Sequence, residues 1–169
     1  MSGDLVNLLI IAVVAFLPTI EVRGAIPMAY AIYRDNTAGF WLGVIIAIVA
    51  NIAIGPVALA LLSSVERWLL RQERGLLVHL RNAYLRIIRR VERKKSVVER
   101  WGYVGLAAFV AIPLPGSGAW TGALLAHLLR LERRKAVIAI TVGVTLASIL
   151  VLLGVEGVIT LVGISGLLR

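Results

Sequence analysis

The stretch AIPLPGSGAWTGALLA, residues 111–126, lies inside an apolar segment, yet it contains two prolines and three glycines. Proline lacks the amide hydrogen that a helix needs, and glycine weakens a helix, so the helix is expected to stop here. In a bilayer, non-helical backbone is tolerated only where protein or a water-filled cavity satisfies its N–H and C=O groups. The stretch therefore predicts a broken membrane helix whose turn is enclosed by protein or lines a cavity.

The composition predicts an integral membrane protein. Of the 169 residues, 60% are hydrophobic, compared with about 45–50% in an average soluble protein. The net charge of +9 is concentrated beside apolar segments, since residues 65–100 hold 11 basic and 4 acidic residues and residues 130–135 hold 4 and 1. Such clusters are typical of the cytoplasmic ends of membrane segments and not of a nucleic-acid surface. We therefore expect no nucleic-acid partner and a multi-pass protein of the cell membrane.

Two apolar segments, residues 39–62 and 136–153, are long enough to cross the bilayer, at about 36 and 27 Å of helix. Two others are interrupted, at residues 18–24 and 113–118. If the second of these crossed the membrane, the two basic clusters would lie on opposite sides. A re-entrant hairpin keeps both in the cytoplasm and is favoured over a kinked span. Both termini are then expected outside the cell.

The two interrupted segments also resemble each other. LPTIEVRGAIPMAYAIYR (residues 17–34) and PLPGSGAWTGALLAHLLR (residues 113–130) both run from proline through a turn and Gly-Ala to a short helix and an arginine. Each is followed by a long apolar segment, and the two hairpins would enter from opposite sides. The predicted fold is an all-α integral membrane protein, an inverted repeat of two re-entrant helical hairpins and two long transmembrane helices with a cytoplasmic amphipathic helical linker. The predicted parts are residues 1–64 (first repeat), 65–100 (linker), 101–154 (second repeat) and 155–169 (apolar tail).

The linker places apolar residues at helical spacing opposite a face of arginines. We expect it to lie on the inner membrane surface against anionic lipid, the alternative being a solvated helix pair. The apolar tail is expected either to pack beside the other helices or to pair with a second chain, so a homodimer is an open alternative.

Few groups in the apolar segments carry chemistry. Glu21 and Arg23 are the only charges at membrane depth, where an ionisable residue is costly and indicates a functional site. In the functional interpretation Glu21 exchanges a proton and Arg23 meets an anion; in the structural one they neutralise each other and fix the hairpin. Helix N-termini expected at Gly24 and Gly118 would favour an anion nearby. The candidate substrate-binding or coupling residues are Glu21, Arg23, Gly24, Asn51, Pro115, Gly116, Ser117, Gly118, Trp120 and Thr145.

Asn51 and Thr145 belong to the two long segments and could instead form hydrogen bonds between helices. The sequence contains no cysteine and shows no nucleophile triad, metal-ligand cluster or nucleotide loop. We therefore expect no enzymatic activity, no cofactor and no metal.

The segments EVRGAIP (residues 21–27) and IPLPGSGAWTG (residues 112–122) resemble the two signature segments of the small multidrug export protein family, a distant branch of the DedA superfamily of re-entrant-loop membrane proteins. The resemblance covers residues 5–153 and implies two facing hairpins and the movement of lipid or amphipathic molecules. DedA-type members are regarded as carriers of polyprenyl phosphate or phospholipid. The chain departs from them at Ile112 and Ser117, which are uncharged where typical DedA proteins carry arginines.

These observations predict a membrane transporter or lipid translocase with a midplane site between the hairpins. The expected substrate is an anionic lipid headgroup such as polyprenyl phosphate or phospholipid, with proton coupling through Glu21; the expected partners are membrane lipids and this amphipathic substrate. Two alternatives stay open: efflux of cationic amphiphiles with Glu21 as the cation partner, and a non-transporting membrane scaffold.

Overall fold

A computed structural model of the chain describes residues 2–70, 85–86, 95–114 and 116–167. These residues form an all-helical structure without strands. In chain order the six helices are α1 (Ser2–Phe16), α2 (Glu21–Ile32), α3 (Thr37–Leu70), α4 (Lys95–Ala111), α5 (Ala119–Leu128) and α6 (Arg133–Leu167).

The two long helices correspond to the two long apolar segments of the sequence. Within α3 and α6, Thr37–Ser64 and Arg133–Gly157 are long and apolar enough to cross a membrane. Large apolar side chains such as Val49, Val104 and Ile138 are exposed on the outside of the helices, as suits a protein surrounded by lipid. Residues 155–167, predicted as a separate tail, continue α6 without a break.

The four shorter helices form two hairpins, α1 with α2 and α4 with α5. A tyrosine hydroxyl forms a hydrogen bond at the open end of each hairpin. The hydroxyl of Tyr33, at the end of α2, donates to the carbonyl oxygen of Asp4, at the start of α1, over 3.2 Å. In the second pair, the hydroxyl of Tyr103 in α4 accepts from the amide of Glu132, in the turn between α5 and α6, over 3.1 Å. The apolar part of α4 is Trp101–Ala111, and the backbone leaves the helical conformation at Gly102, with φ 56°.

Each hairpin packs on its own long helix and also on the long helix of the other half. Helices α1 and α2 contact α3, and α4 and α5 contact α6; in addition α3 contacts α5, and α6 contacts α2. The buried core is rich in small residues, which allow close helix contacts, among them Ala15, Ala25, Ala47, Ala119, Ala123 and Ala139.

The start of α2 differs from the prediction. We expected this helix to begin at Gly24, but it begins at Glu21. The reason is visible in the sequence: Val22, Ala25, Ile26 and Ala29 are all buried and follow the spacing of one helical face. Gly24 therefore lies inside the helix, and its amide is not at the terminus. The amphipathic face predicted for the linker falls mainly on residues 71–84 and 87–94, which lie outside the described residues.

Candidate functional site

The carboxylate of Glu21 occupies the N-terminus of a helix in the other half of the chain. Glu21 is 3% exposed, and its side chain accepts hydrogen bonds from the backbone amides of Ala119 over 3.2 Å and Trp120 over 3.4 Å. These are the first two residues of α5, whose amides have no acceptor within their own helix. The partial positive charge of a helix N-terminus favours an anion at this position. Glu21 thus supplies the anion that the end of α5 favours.

Arg23 joins this carboxylate to the end of α4. One guanidinium nitrogen, Nη1, lies 3.4 Å from Oε2 of Glu21. The other, Nη2, donates to the carbonyl of Ile112 over 3.0 Å and lies 3.4 Å from Oγ of Ser117. The Nε of Arg23 is buried and has no hydrogen-bond partner among the described residues. The Nε–H of the guanidinium is therefore a buried donor that the described protein groups do not use.

The turn between α4 and α5 is shaped to admit the Glu21 side chain. Gly116 has φ 78°, a left-handed conformation that glycine adopts readily. Gly118 has φ −88°, which any residue can adopt, but a Cβ placed there would overlap the carboxylate of Glu21. Ser117 is buried, and its hydroxyl lies 2.6 Å from the carbonyl of Ile112. A side chain at position 118 would therefore displace the Glu21 carboxylate from its place beside α5.

Trp120 makes the reciprocal contact from the second hairpin to the first. Its indole N–H donates to the carbonyl of Phe16, at the end of α1, over 2.9 Å. The two aromatic rings also pack edge to face, with centroids 5.6 Å apart. Each hairpin thus places side-chain groups on helix ends of the other hairpin, where backbone groups would otherwise lack partners.

Other predicted site residues lie outside this cluster. Asn51 is fully buried beside it, where its Nδ2 donates to the carbonyl of Ala15 over 3.2 Å and its Oδ1 has no partner among the described residues. The structure does not bring Thr145 to the cluster, because it lies on the exposed face of α6 and donates to the carbonyl of Thr141 over 2.9 Å. Gly24 packs against the side chain of Ile20. Pro115 lies outside the described residues.

The charges of the site favour an anion over a cation. The charges of Glu21 and Arg23 cancel, and the N-terminus of α5 adds the equivalent of about +0.5 elementary charge. Glu21 already accepts two amide hydrogen bonds and lies against the guanidinium, so its charge is compensated. Among the described residues, no three His, Cys, Asp or Glu side chains lie close enough together to hold a metal ion.

Comparison with protein families identifies the chain. The family model described as "Putative small multi-drug export protein" matches residues 21–150. The chain belongs to this family. The match begins at Glu21, the first residue of α2, and includes the turn between α4 and α5 that receives the Glu21 side chain. The family description indicates a membrane export protein, and the two long apolar helices agree with it. Comparison with curated proteins and with solved structures returned no match to either.

In this member of the family, sequence reasoning missed the backbone groups that Arg23 and Trp120 bind. These are the carbonyls of Ile112 and Phe16, which lie at the ends of broken helices. The need for donors at these carbonyls could have been predicted, because the last carbonyls of any helix lack partners within that helix. Two buried helix ends therefore require donors from elsewhere, and Arg23 and Trp120 are donors close in sequence to the breaks.

Proposed function

We propose that this export-family protein is a transporter that moves an anionic amphipathic substrate, such as a lipid phosphate headgroup, through the site where the hairpins meet. The observation that carries this proposal is the Glu21 carboxylate on the first amides of α5. A position that favours an anion holds an anion belonging to the protein itself. A side-chain anion can leave and return, so a substrate phosphate can take its place.

In the proposed cycle, the substrate displaces Glu21 when that side chain takes up a proton. Protonation removes the negative charge, weakens the contacts with Ala119 and Trp120 and releases the guanidinium of Arg23. The freed amides and the guanidinium then bind the phosphate, as helix N-termini and arginines commonly do. After the substrate leaves, Glu21 gives up its proton to water and returns to the end of α5.

The proposal includes a membrane arrangement. Both hairpins are re-entrant, they enter from opposite faces as an inverted repeat, and the site lies near the midplane. The basic segments 65–100 and 130–135 face the cytoplasm, and both termini face outside. The equivalent packing of the two halves supports this arrangement, since α3 contacts α5 just as α6 contacts α2. The two tyrosine ties at the open ends of the hairpins support it as well.

Efflux of cationic amphiphiles is the second candidate, because the family description names multi-drug export. A cation would need an uncompensated carboxylate, whereas Glu21 is bound by two amides and lies 3.4 Å from Arg23. A scaffold without transport activity could fix its hairpins by apolar contacts and avoid the cost of charges at membrane depth. The charge balance of the site therefore favours an anionic substrate.

The test uses proteoliposomes that contain the full chain. We compare the translocation of a fluorescent anionic lipid with the uptake of a cationic dye, with and without a pH gradient. Arg23→Gln should slow anionic lipid translocation by about tenfold or more, because a hydrogen bond to a charged group is worth about 1.5–3 kcal/mol. Glu21→Gln keeps the size of the side chain and one of its two acceptor oxygens but cannot ionise, so transport should lose its dependence on the pH gradient.

The matched control is Arg34→Gln, which removes the same charge at an exposed position between α2 and α3. It should transport like the parent protein. Uptake of the dye without movement of the anionic lipid would contradict the proposal. An equal loss of lipid translocation in the Arg34 and Arg23 variants would also contradict the proposal, because such a result would indicate a general charge effect.

A further inference from the structure

A pocket separate from the site of the two hairpins lies where the turn between α5 and α6 meets α3. Its volume is about 410 Å³, and its lining combines two arginines with a serine hydroxyl and leucine side chains. The groups used below are Leu59, Arg130, Leu131 and Arg133. The apolar part of α3 ends at Ser64 and that of α6 begins at Arg133, so the pocket lies at the depth where lipid headgroups are expected.

Arg130 occupies a backbone position where glycine is the usual residue. It has φ 49°. The amide of Leu131 donates to the carbonyl of Ala126 over 2.9 Å, and the amide of Arg130 donates to the carbonyl of His127 over 3.1 Å. This pair of hydrogen bonds is the Schellman end of a helix, whose left-handed residue is most often glycine. An arginine held in a conformation that disfavours side chains indicates that the side chain has a use.

Arg133 lies on the other side of the pocket. Its Nη2 donates to the carbonyl of Pro56 in α3 over 3.4 Å, and the part of the chain that the structure describes offers no acceptor to its other guanidinium donors. The neighbouring acid, Glu132, is already paired with Lys135 over 2.6 Å. Among the described residues, no acidic side chain forms an ion pair with Arg130 or Arg133. Within the described residues, the two positive charges of the pocket therefore have no acidic partner.

We propose that this pocket binds the phosphate headgroup of an anionic membrane lipid. Arginine donors match phosphate oxygens well, and basic pockets at the ends of membrane helices recognise such headgroups. Leu59 and Leu131 line the same pocket and provide an apolar surface for the start of the acyl chains. This binding site is separate from Glu21 and Arg23 and does not depend on the transport proposal.

The experiment measures lipid binding to the full-length protein in detergent. Phosphatidylglycerol, phosphatidylcholine with the same acyl chains, and inorganic phosphate are each titrated, with native mass spectrometry counting bound lipid and the unfolding temperature followed in parallel. Phosphatidylglycerol should saturate one site and raise the unfolding temperature, whereas phosphatidylcholine and free phosphate should not at the same concentrations. Arg130→Gly and Arg133→Gln should each weaken phosphatidylglycerol binding by about tenfold or more.

Arg134→Gln is the matched control, because it removes the same charge from an exposed neighbour that does not line the pocket. It should bind phosphatidylglycerol like the parent. Glycine suits the left-handed position, so the unfolding temperature of Arg130→Gly without lipid should be no lower than that of the parent. If it is lower, the proposal is judged on the phosphatidylglycerol binding of Arg133→Gln alone. An equal loss of phosphatidylglycerol binding in the Arg134 and Arg133 variants would overturn the proposal, because it would indicate a general attraction between basic residues and anionic lipid. Binding of free phosphate or phosphatidylcholine as tight as that of phosphatidylglycerol would overturn it too.

Discussion

Replacing Gly118 by alanine should separate the two hairpin turns. A Cβ at this position would overlap both carboxylate oxygens of Glu21, so the side chain must leave the N-terminus of α5. The backbone of Gly118, with φ −88° and ψ −167°, is open to alanine. The expected loss of stability therefore comes from the displaced carboxylate and not from backbone strain.

The magnitude follows from the contacts that are lost. Glu21 accepts from the amides of Ala119 and Trp120 over 3.2 and 3.4 Å, and a hydrogen bond to a charged group contributes about 1.5–3 kcal/mol. Because both distances are long for charged hydrogen bonds, we take the lower value for each. Gly118→Ala should then lower the free energy of unfolding by about 3 kcal/mol.

The assay is reversible unfolding in mixed detergent micelles, arranged as a double-mutant cycle. In a Glu21→Ala background the space beside Gly118 is empty, so Gly118→Ala should cost less than about 1 kcal/mol. In a Glu21→Gln background the amide still fills the space, and the substitution should remain costly. Gly154→Ala is the control, because nothing lies within 4 Å of its added Cβ, and it should be neutral or slightly stabilising.

If Gly118→Ala still lowered the free energy of unfolding by about 3 kcal/mol in the Glu21→Ala background, this reasoning would be refuted. Such a result would show that the substitution disturbs the turn between α4 and α5 directly, and that contact with the other hairpin is not the cause.

Three further experiments test other contacts of the structure and the proposed membrane arrangement. Asn51→Leu should cost about 1 kcal/mol of unfolding free energy, because the lost hydrogen bond to the end of α1 is partly offset by removal of an unpaired buried oxygen; a loss above about 3 kcal/mol would contradict this. Trp120→Phe should cost about 1 kcal/mol in the same assay, since it removes the donor to Phe16, and no loss would contradict it. Single cysteines replacing Arg71 and Arg134 should both resist an impermeant thiol reagent added outside cells; labelling of only one would contradict a shared cytoplasmic side.

The positions of the helix breaks and of the long helices could be predicted from the sequence, because both depend on local chemistry. The clustered prolines and glycines of residues 113–118 end a helix, whereas the single prolines Pro27 and Pro56 lie inside helices. A long apolar run specifies a helix by its length. The start of α2 could also have been found, from the buried spacing of Val22, Ile26 and Ala29. Here the polar segment EVRG suggested a turn, whereas tertiary packing of the apolar face extends the helix to Glu21.

The pairing inside the site was harder to predict. That Glu21 and Arg23 would lie near the turn at residues 116–120 followed from the repeat, but the exact acceptors depend on how two helix ends approach in space. Thr145 illustrates the limit: on a helix a threonine hydroxyl can donate to the preceding turn, as this one does to Thr141. An exposed threonine and a site threonine therefore look alike in the sequence.

The separation of the site's partners along the chain has a consequence for how the protein is made. Glu21 and Arg23 are synthesised early, but the backbone groups that they bind, at Ile112, Ala119 and Trp120, follow 89 to 99 residues later. Until the ribosome has delivered those residues, the two charges have only each other as partners within the site. The first half of the chain therefore enters the membrane with an incomplete polar cluster, and a nascent chain released before residue 120 should be a preferred substrate for membrane quality-control proteases.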